Sequence, residues 1–133
     1  LLILDEATGG LDPIVRDEML DTFLDFVQEE NHSILLSSHI TTDLEKVADY
    51  ITFIHRGKLV FSESKDKLLE KYGLLKCSVE QFDALDKAAV KGFRKNSFGV
   101  EALVLKDKIR GDALIDRATM EEIMLYHIKE GVR

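Results

Sequence analysis

The sequence predicts an α/β fold in which a parallel sheet with an antiparallel edge is followed by a small α+β region. Two observations predict this class. Apolar strand-like runs alternate with helical periodicity over residues 1–73, and that order is typical of parallel sheets. After Gly73 the pattern changes to short strand-like runs that follow one another more closely. We therefore expect two parts: residues 1–73, and an appended subdomain of residues 74–133.

The composition indicates a globular protein. The 133 residues are 45% hydrophobic and 32% charged, with one proline, and the longest apolar runs are about four residues. Such runs are far too short to cross a membrane, so we expect no direct membrane insertion. The net charge of −7 disfavours nucleic-acid binding and attraction to anionic lipid. The single cysteine, Cys77, cannot form an internal disulfide and suits a reducing cytoplasm.

The first part begins with strand, helix and strand. The apolar run Leu1–Leu4 predicts a short buried strand. Asp12 and Pro13 are a favourable N-cap and first helical residue, and the spacing after them predicts a helix over residues 13–31. The apolar centre of Ser33–Ser37 predicts a second strand, buried on both faces. The helix residues expected in the core are Val15, Met19, Leu20, Phe23, Leu24 and Val27.

The remainder of the first part predicts a helix, a hairpin and another helix. Thr42–Glu45 has the spacing of a capping box that opens a short helix. Ile51–His55 and Lys58–Phe61 predict two strands joined by a tight turn with glycine. Lys65–Tyr72 predicts a helix that is closed by Gly73.

The appended subdomain is predicted to mix strands and helices. Leu74–Val79 predicts a strand and Gln81–Ala88 a short helix. Val90–Arg94 and Val100–Leu105 predict a hairpin, and Thr119–Glu122 forms a second capping box. The helix after that box is expected to carry Met120, Ile123, Met124, His127 and Ile128 on one face, with Ile123, Met124 and Ile128 packed inward.

Two adjacent carboxylates follow the first strand. A buried strand that delivers acidic residues at its C-terminal end is how α/β nucleotide hydrolases present groups to Mg²⁺ and water. Neighbouring side chains on an extended chain point in different directions. Asp5 is therefore the better candidate for holding Mg²⁺, directly or through water, and Glu6 for orienting and deprotonating an attacking water. Taken alone, the pair also fits a solvated acidic loop.

Other polar residues near these strand ends have a structural and a functional interpretation. His39, just beyond the second strand, could stabilise charge on a phosphate or be a partly buried histidine with satisfied hydrogen bonds. Asp12 suits an N-cap, Gly9–Gly10 a plain turn, and Ser37–Ser38 strand-end hydroxyls that satisfy backbone groups. The histidines without ligand-like spacing are His32, His55 and His127.

The combination of these motifs resembles the ATP-binding subunits of ABC transporters. Leu1–Glu6 resembles the Walker B strand with its catalytic glutamate, Gly10-Leu11-Asp12-Pro13 the D-loop, and Ile34–His39 the switch-histidine segment. Residues 47–60 are similar to the segment that follows that switch in the family. The resemblance is firmest over residues 1–61. In the tail, Leu68-Leu69 and residues 119–124 look like exporter-type subunits of bacterial peptide or antibiotic-resistance systems.

The sequence departs from the family pattern in three ways. Ala7 stands where the family usually has proline, and Gly9 where serine or asparagine is common. Both lie in a loop and should alter its stiffness rather than its chemistry. The third departure is larger: the Walker A phosphate loop, the glutamine loop and the signature motif are absent. The resemblance therefore implies an incomplete C-terminal part of a P-loop NTPase, which we expect to be inactive by itself.

The resemblance implies a function for the intact protein. That function is ATP hydrolysis coupled to transport across the membrane, with export as the expected direction, and ATP and Mg²⁺ as cofactors. The implied partners are a transmembrane permease subunit, which would hold the protein at the inner face of the membrane, and a second ATPase subunit. The site residues that the resemblance implies are Glu6 and His39 as catalytic groups, and Asp5, Gly10, Leu11 and Asp12 as cofactor-binding groups, with Asp5 holding Mg²⁺ through water.

Two alternatives remain open from the sequence. One is a soluble ABC-like ATPase of DNA maintenance, against which the acidic balance weighs. The other is a non-catalytic regulatory or interaction module in which residues 74–133 are the working part.

Overall fold

The structure of the protein, a computed structural model, describes residues 1–111 and 113–129. The fold is mixed α/β with small sheets, and the chain divides into two compact units, Leu1–Ala48 and Asp49–Arg133. The strands are β1 (Leu2–Asp5), β2 (Ile34–Ser37), β3 (Tyr50–His55), β4 (Lys58–Ser64), β5 (Tyr72–Cys77), β6 (Val90–Asn96), β7 (Gly99–Leu105) and β8 (Ile115–Arg117). The α-helices are α1 (Pro13–Phe26), α2 (Thr41–Val47), α3 (Lys65–Lys71), α4 (Val79–Asp83) and α5 (Met120–Ile128), and two 3₁₀-helices span Lys87–Ala89 and Lys106–Lys108.

In the first unit, β1 and β2 pair in parallel and α1 lies between them in sequence. The register places Asp5 opposite Ser37. The predicted N-cap is confirmed, because the Asp12 side chain accepts hydrogen bonds from two backbone amides of the first turn. The strands thus bring the segments that follow Asp5 and Ser37 to the same end of the sheet.

Helix α1 ends at Phe26 rather than at residue 31. If the helix continued to residue 31, Glu29 and Glu30 would lie in its last turn. Negative charge there interacts unfavourably with the helix dipole. Instead His32 turns back, its Nδ1 lies 2.9 Å from the carbonyl oxygen of Phe26, and its ring stacks on the Phe26 ring. The side chain of His32 thus satisfies a carbonyl at the end of the helix.

The predicted capping box at Thr42–Glu45 is wrong. Helix α2 begins at Thr41, and its N-cap is Ile40, two residues before the predicted cap, with no side-chain hydrogen bond to the helix. The residue that the sequence placed inside the box, Asp43, is buried and serves a tertiary contact instead. A capping-box spacing cannot reveal such a competing partner.

The second unit begins with the predicted hairpin, which is confirmed. Strands β3 and β4 are antiparallel, and Arg56 and Gly57 have φ of 50° and 74° at the turn between them. Helix α3 stops at Lys71, and the prediction that Gly73 closes it is wrong. Gly73 lies within β5, where an added Cβ would come within 2.3 Å of the Ile115 side chain on β8. The glycine is therefore required by close strand packing rather than by a helix end.

The main sheet is four-stranded and antiparallel in the order β6-β7-β5-β8. The hairpin β6–β7 agrees with the sequence. The predicted helix over Gln81–Ala88 is displaced: α4 starts at Val79 under a capping box of Ser78 and Gln81. One core cluster of the sheet consists of Leu75, Phe82, Val100, Ala102 and Val104.

Helix α5 packs on β6 and β7, with Thr119 as its capping-box residue as predicted. Gly92 on β6 allows a close approach, since an added Cβ would lie 2.2 Å from the Tyr126 carbonyl oxygen. The predicted inward face is partly wrong, because Ile128 is 41% exposed. Ile128 lies about 140° around the helix from Ile123, so the two cannot share a narrow face. The fully buried residues of the helix are Met120, Ile123 and Tyr126.

No helix among the described residues has the length and apolar character needed to cross a membrane.

Candidate functional site

The candidate site lies where β1 and β2 end side by side. Glu6 follows the last residue of β1, and His39 lies two residues beyond β2. The Glu6 carboxylate oxygen Oε2 lies 2.8 Å from His39 Nδ1. The two catalytic candidates of the sequence are therefore adjacent, although 33 residues separate them in the chain. The His39 side chain is 79% exposed and that of Glu6 44%, so solvent reaches both.

Ser37 joins the metal candidate to this pair. Its hydroxyl donates a short hydrogen bond to Oδ1 of Asp5. The backbone N–H of Glu6 donates to the Ser37 carbonyl oxygen at 2.9 Å and approaches the Ser37 hydroxyl oxygen at 3.3 Å. The sequence indicated strand-end hydroxyls here, and the structure adds a direct bond to Asp5. Ser37 thus fixes the Asp5 side chain and the Glu6 backbone together.

The loop after Glu6 folds back sharply. Glu6 itself has φ of 51°, an uncommon conformation for a residue other than glycine, and Gly10 has φ of 76°. The amide of Gly9 donates to the carbonyl oxygen of Glu6 at 3.1 Å. Asp12 ends the loop, and its Oδ1 accepts from two amides of α1, each at 3.0 Å. Of the cofactor-binding candidates, Gly10 and Asp12 are exposed, whereas Leu11 is half-buried between them.

A buried polar group behind this loop was not recognised in the sequence. The Thr8 hydroxyl donates to Asp43 Oδ2 at 2.8 Å, and the Arg16 side-chain Nε lies 3.3 Å from Asp43 Oδ1. Thr8 and Asp43 are 1% and 2% exposed. The group joins the loop, α1 and α2. Its only sequence signal was an acidic residue in the first turn of α2, which a capping box explained equally well.

The residues present fit a divalent cation of the Mg²⁺ type. The described part of the chain contains no group of three or more histidine, cysteine, aspartate or glutamate residues that could hold a metal by itself. Mg²⁺ usually keeps several waters and is bound by one or two carboxylates together with substrate phosphates. The Oδ1 atom of Asp5 accepts the bond from Ser37, so Oδ2 would be the atom through which Asp5 could hold such a cation, directly or through a water molecule.

Comparison with known proteins finds relatives of this chain. No protein-family model matches the chain. It is 29% identical to the "Uncharacterized ABC transporter ATP-binding protein YhcH" of Bacillus subtilis over 131 residues, which are 97% of this chain and 42% of that protein. The chain is homologous to ABC transporter ATP-binding proteins. The resemblance drawn from the sequence motifs is thereby confirmed.

Two further ABC relatives are more similar over shorter stretches. The "Lantibiotic transport ATP-binding protein SrtF" of Streptococcus pyogenes is 44% identical over 66 residues, 50% of this chain and 28% of that protein. The "Bacitracin transport ATP-binding protein BcrA" of Bacillus licheniformis is 47% identical over 60 residues, 45% of this chain and 20% of that protein. The chain thus spans less than half the length of each of these curated relatives.

Proposed function

We propose that this chain is part of the ATP-hydrolysing subunit of an ABC transporter, which couples ATP binding and hydrolysis to transport, in the export direction. The observation that carries the proposal is the Glu6–His39 pair beside Asp5 at the shared end of β1 and β2. The names of SrtF and BcrA, which are those of transport proteins for a lantibiotic and for bacitracin, support the direction. They also favour a transporter over an ATPase of DNA maintenance.

Each acidic and basic group has a distinct proposed role. Glu6 orients a water molecule and accepts its proton, because a carboxylate that water can reach is a suitable base. His39 holds the Glu6 side chain through Nδ1 and contributes charge stabilisation at the terminal phosphate of ATP. Asp5 would hold Mg²⁺ through water, with the carboxylate that Ser37 fixes. Bound Mg²⁺ would neutralise charge on the phosphate oxygens.

The loop between Glu6 and α1 is proposed to contribute to cofactor binding. Gly10 and Leu11 present backbone groups there, and the positive φ of Gly10 sets the direction of the chain. Asp12 acts by fixing the loop, because its Oδ1 is already engaged as the N-cap of α1. A side chain engaged in this way cannot also serve as a strong ligand through the same atom.

The remaining features of the proposal concern the whole protein. Residues 1–73 would form part of the parallel sheet of a P-loop ATPase core, and residues 74–133 an appended α+β subdomain. The partners would be a transmembrane permease and a second ATPase subunit, with the protein held at the cytoplasmic face of the membrane through the permease. The 133-residue chain by itself is expected to be inactive, because its sequence has no glycine-rich loop to hold phosphates.

The variant Glu6→Gln in the full-length subunit tests this function. We expect ATP binding to be nearly unchanged and turnover to fall about a hundredfold or more, because an amide cannot take the proton from water. His39→Ala should also lower turnover. Glu18→Gln, at an exposed position on α1, is the matched control and should leave turnover unchanged. Steady-state phosphate release and nucleotide binding by calorimetry are the measurements, and full activity of Glu6→Gln would exclude the assigned base.

A further inference from the structure

We propose that Thr8 and Asp43 are positioning residues that hold the Glu6 loop against the segment carrying His39. The inference deepens the proposed function and rests on it. Neither residue is assigned to touch water, nucleotide or metal. Their effect would be exerted through the distance and orientation between Glu6 and His39.

Burial singles out this pair. Thr8 and Asp43 are the two buried polar residues among those that the structure describes. Thr8 lies in a loop in which Glu6, Gly9 and Gly10 are all exposed. A fully buried side chain among such exposed loop residues anchors the loop, because moving the loop would break its contact. Here the contact is a hydrogen bond to a carboxylate, which is stronger than one between neutral groups.

Two links flank the catalytic pair. On one side the Ser37 hydroxyl binds Asp5, and on the other side the Thr8 hydroxyl binds Asp43. The Glu6–His39 contact lies between them along both chain segments. Asp43 is in the first turn of α2, which begins two residues after His39. Fixing Thr8 to Asp43 therefore limits how far the Glu6 backbone can move relative to His39.

Arg16 makes the burial of this carboxylate possible. A buried charge is costly unless it is paired and hydrogen-bonded. Arg16 lies in the first turns of α1, and its Nε is 3.3 Å from Asp43 Oδ1. The same helix begins at the cap residue that ends the loop, Asp12. The loop is thus fixed in its middle by Thr8 and at its end by Asp12.

An exposed ion pair between the same two helices provides a control. Lys46 on α2 lies 2.5 Å from Asp17 Oδ1 and 2.9 Å from Asp21 Oδ1 on α1. This contact joins α1 to α2 without involving the Glu6 loop. If helix packing alone mattered for turnover, removing it would have the same effect as removing the Thr8–Asp43 bond.

The test compares Thr8→Val, Thr8→Ser and Lys46→Met in the full-length ATPase subunit assembled with its partners. Thr8→Val keeps the shape and removes the hydroxyl, and we expect kcat to fall about tenfold, as loss of one charge-assisted hydrogen bond in positioning would produce. The KM for ATP should change less than about twofold, because the loop orients water rather than gripping the nucleotide. Thr8→Ser restores the donor and should recover kcat, and Lys46→Met should leave kcat unchanged.

Three results would overturn the inference: an unchanged kcat in Thr8→Val, an equal loss in Lys46→Met, or no recovery in Thr8→Ser. Should Thr8→Val fail to fold, Thr8→Ala provides the same test, since it also removes the hydroxyl that donates to Asp43; a kcat equal to that of the parent would then overturn the inference. The variant Glu6→Gln distinguishes failure of the proposed function from failure of the positioning role. Unchanged turnover in Glu6→Gln rejects the proposed function. Loss of turnover in Glu6→Gln together with an unchanged kcat in Thr8→Val rejects only the positioning role.

Discussion

The two compact units are stabilised by different interactions. Among the described residues, Leu20 is the one buried hydrophobic residue of Leu1–Ala48, and the other fifteen lie in the second unit. In the first unit Leu1, Ile3, Ile14 and Leu35 are instead 60% to 77% exposed. The first unit also carries eleven acidic residues against two lysines or arginines. Its folded form therefore depends on polar contacts, such as the Asp43 group, far more than the second unit does.

The candidate site and the apolar core are therefore held together by different kinds of contact. The candidate site is held by hydrogen bonds and ion pairs that join two strand ends, a loop and two helices. Such contacts are directional and fix geometry, but each adds only about 0.5–3 kcal/mol to stability. The four-stranded sheet and α5 instead bury apolar side chains on both faces, and that burial scales with area. The apolar core and the candidate site thus lie in different parts of the sequence.

The largest expected effect follows from dividing the chain between residues 48 and 49. The segment 49–133 should unfold cooperatively in urea, because it retains the main sheet and its apolar core. The segment 1–48 should show no cooperative transition, since it is small and has a single buried apolar residue. Circular dichroism during urea titration is the measurement. Cooperative unfolding of both segments would remove the contrast between the units.

Core truncation should have the next largest effect. Leu103→Ala, at a residue that is 0% exposed in β7, is expected to lower the free energy of unfolding by about 2–5 kcal/mol. Leu59→Ala, in the same unit but 65% exposed, is the control and should change it by about 0.5 kcal/mol or less. Tyrosine fluorescence reports on this unit, because all three tyrosines lie in it. Equal losses in the two variants would mean that apolar burial does not dominate there.

The smallest effect concerns a polar bond within the apolar unit. The Tyr126 hydroxyl donates to Glu101 Oε1 at 2.6 Å, and burial, followed by this bond, raises the pKa of Tyr126. Above about pH 10 the unfolded chain loses the tyrosine proton while the folded chain keeps it, so stability should fall as the pH rises. Below that pH the contribution is fully present.

Tyr126→Phe should therefore reduce the loss of stability between about pH 8 and pH 11. The exposed Tyr50 supplies the control, and Tyr50→Phe should retain the slope of the wild type. Urea unfolding at the two pH values gives the comparison. A wild-type slope in Tyr126→Phe would show that ionisation of Tyr126 is not coupled to folding.

Local signals in the sequence were sufficient where neighbouring residues decide the structure. The N-cap at Asp12, the turn at Arg56–Gly57 and the capping box at Thr119 were all predictable, because each depends on a few consecutive residues. The homology to ABC transporter ATP-binding proteins was also predictable, since the motifs that indicate it are short and ordered along the chain. Helix ends were less so: the contact of His32 with the end of α1 and the packing of Gly73 against Ile115 both depend on chain segments brought back from elsewhere.

By itself, the sequence determined which residues form the candidate site: an acidic pair after an apolar strand, a histidine after another, and the helix start between them. The tertiary structure alone decided which groups meet. It placed Glu6 against His39, joined Asp5 to Ser37, and took Asp43 from a supposed helix cap into a buried group with Thr8. The physical reason is that a carboxylate accepts hydrogen bonds from whichever donors the fold brings near it, and burial strengthens those hydrogen bonds. Sequence spacing describes local geometry, whereas these partners lie more than thirty residues apart.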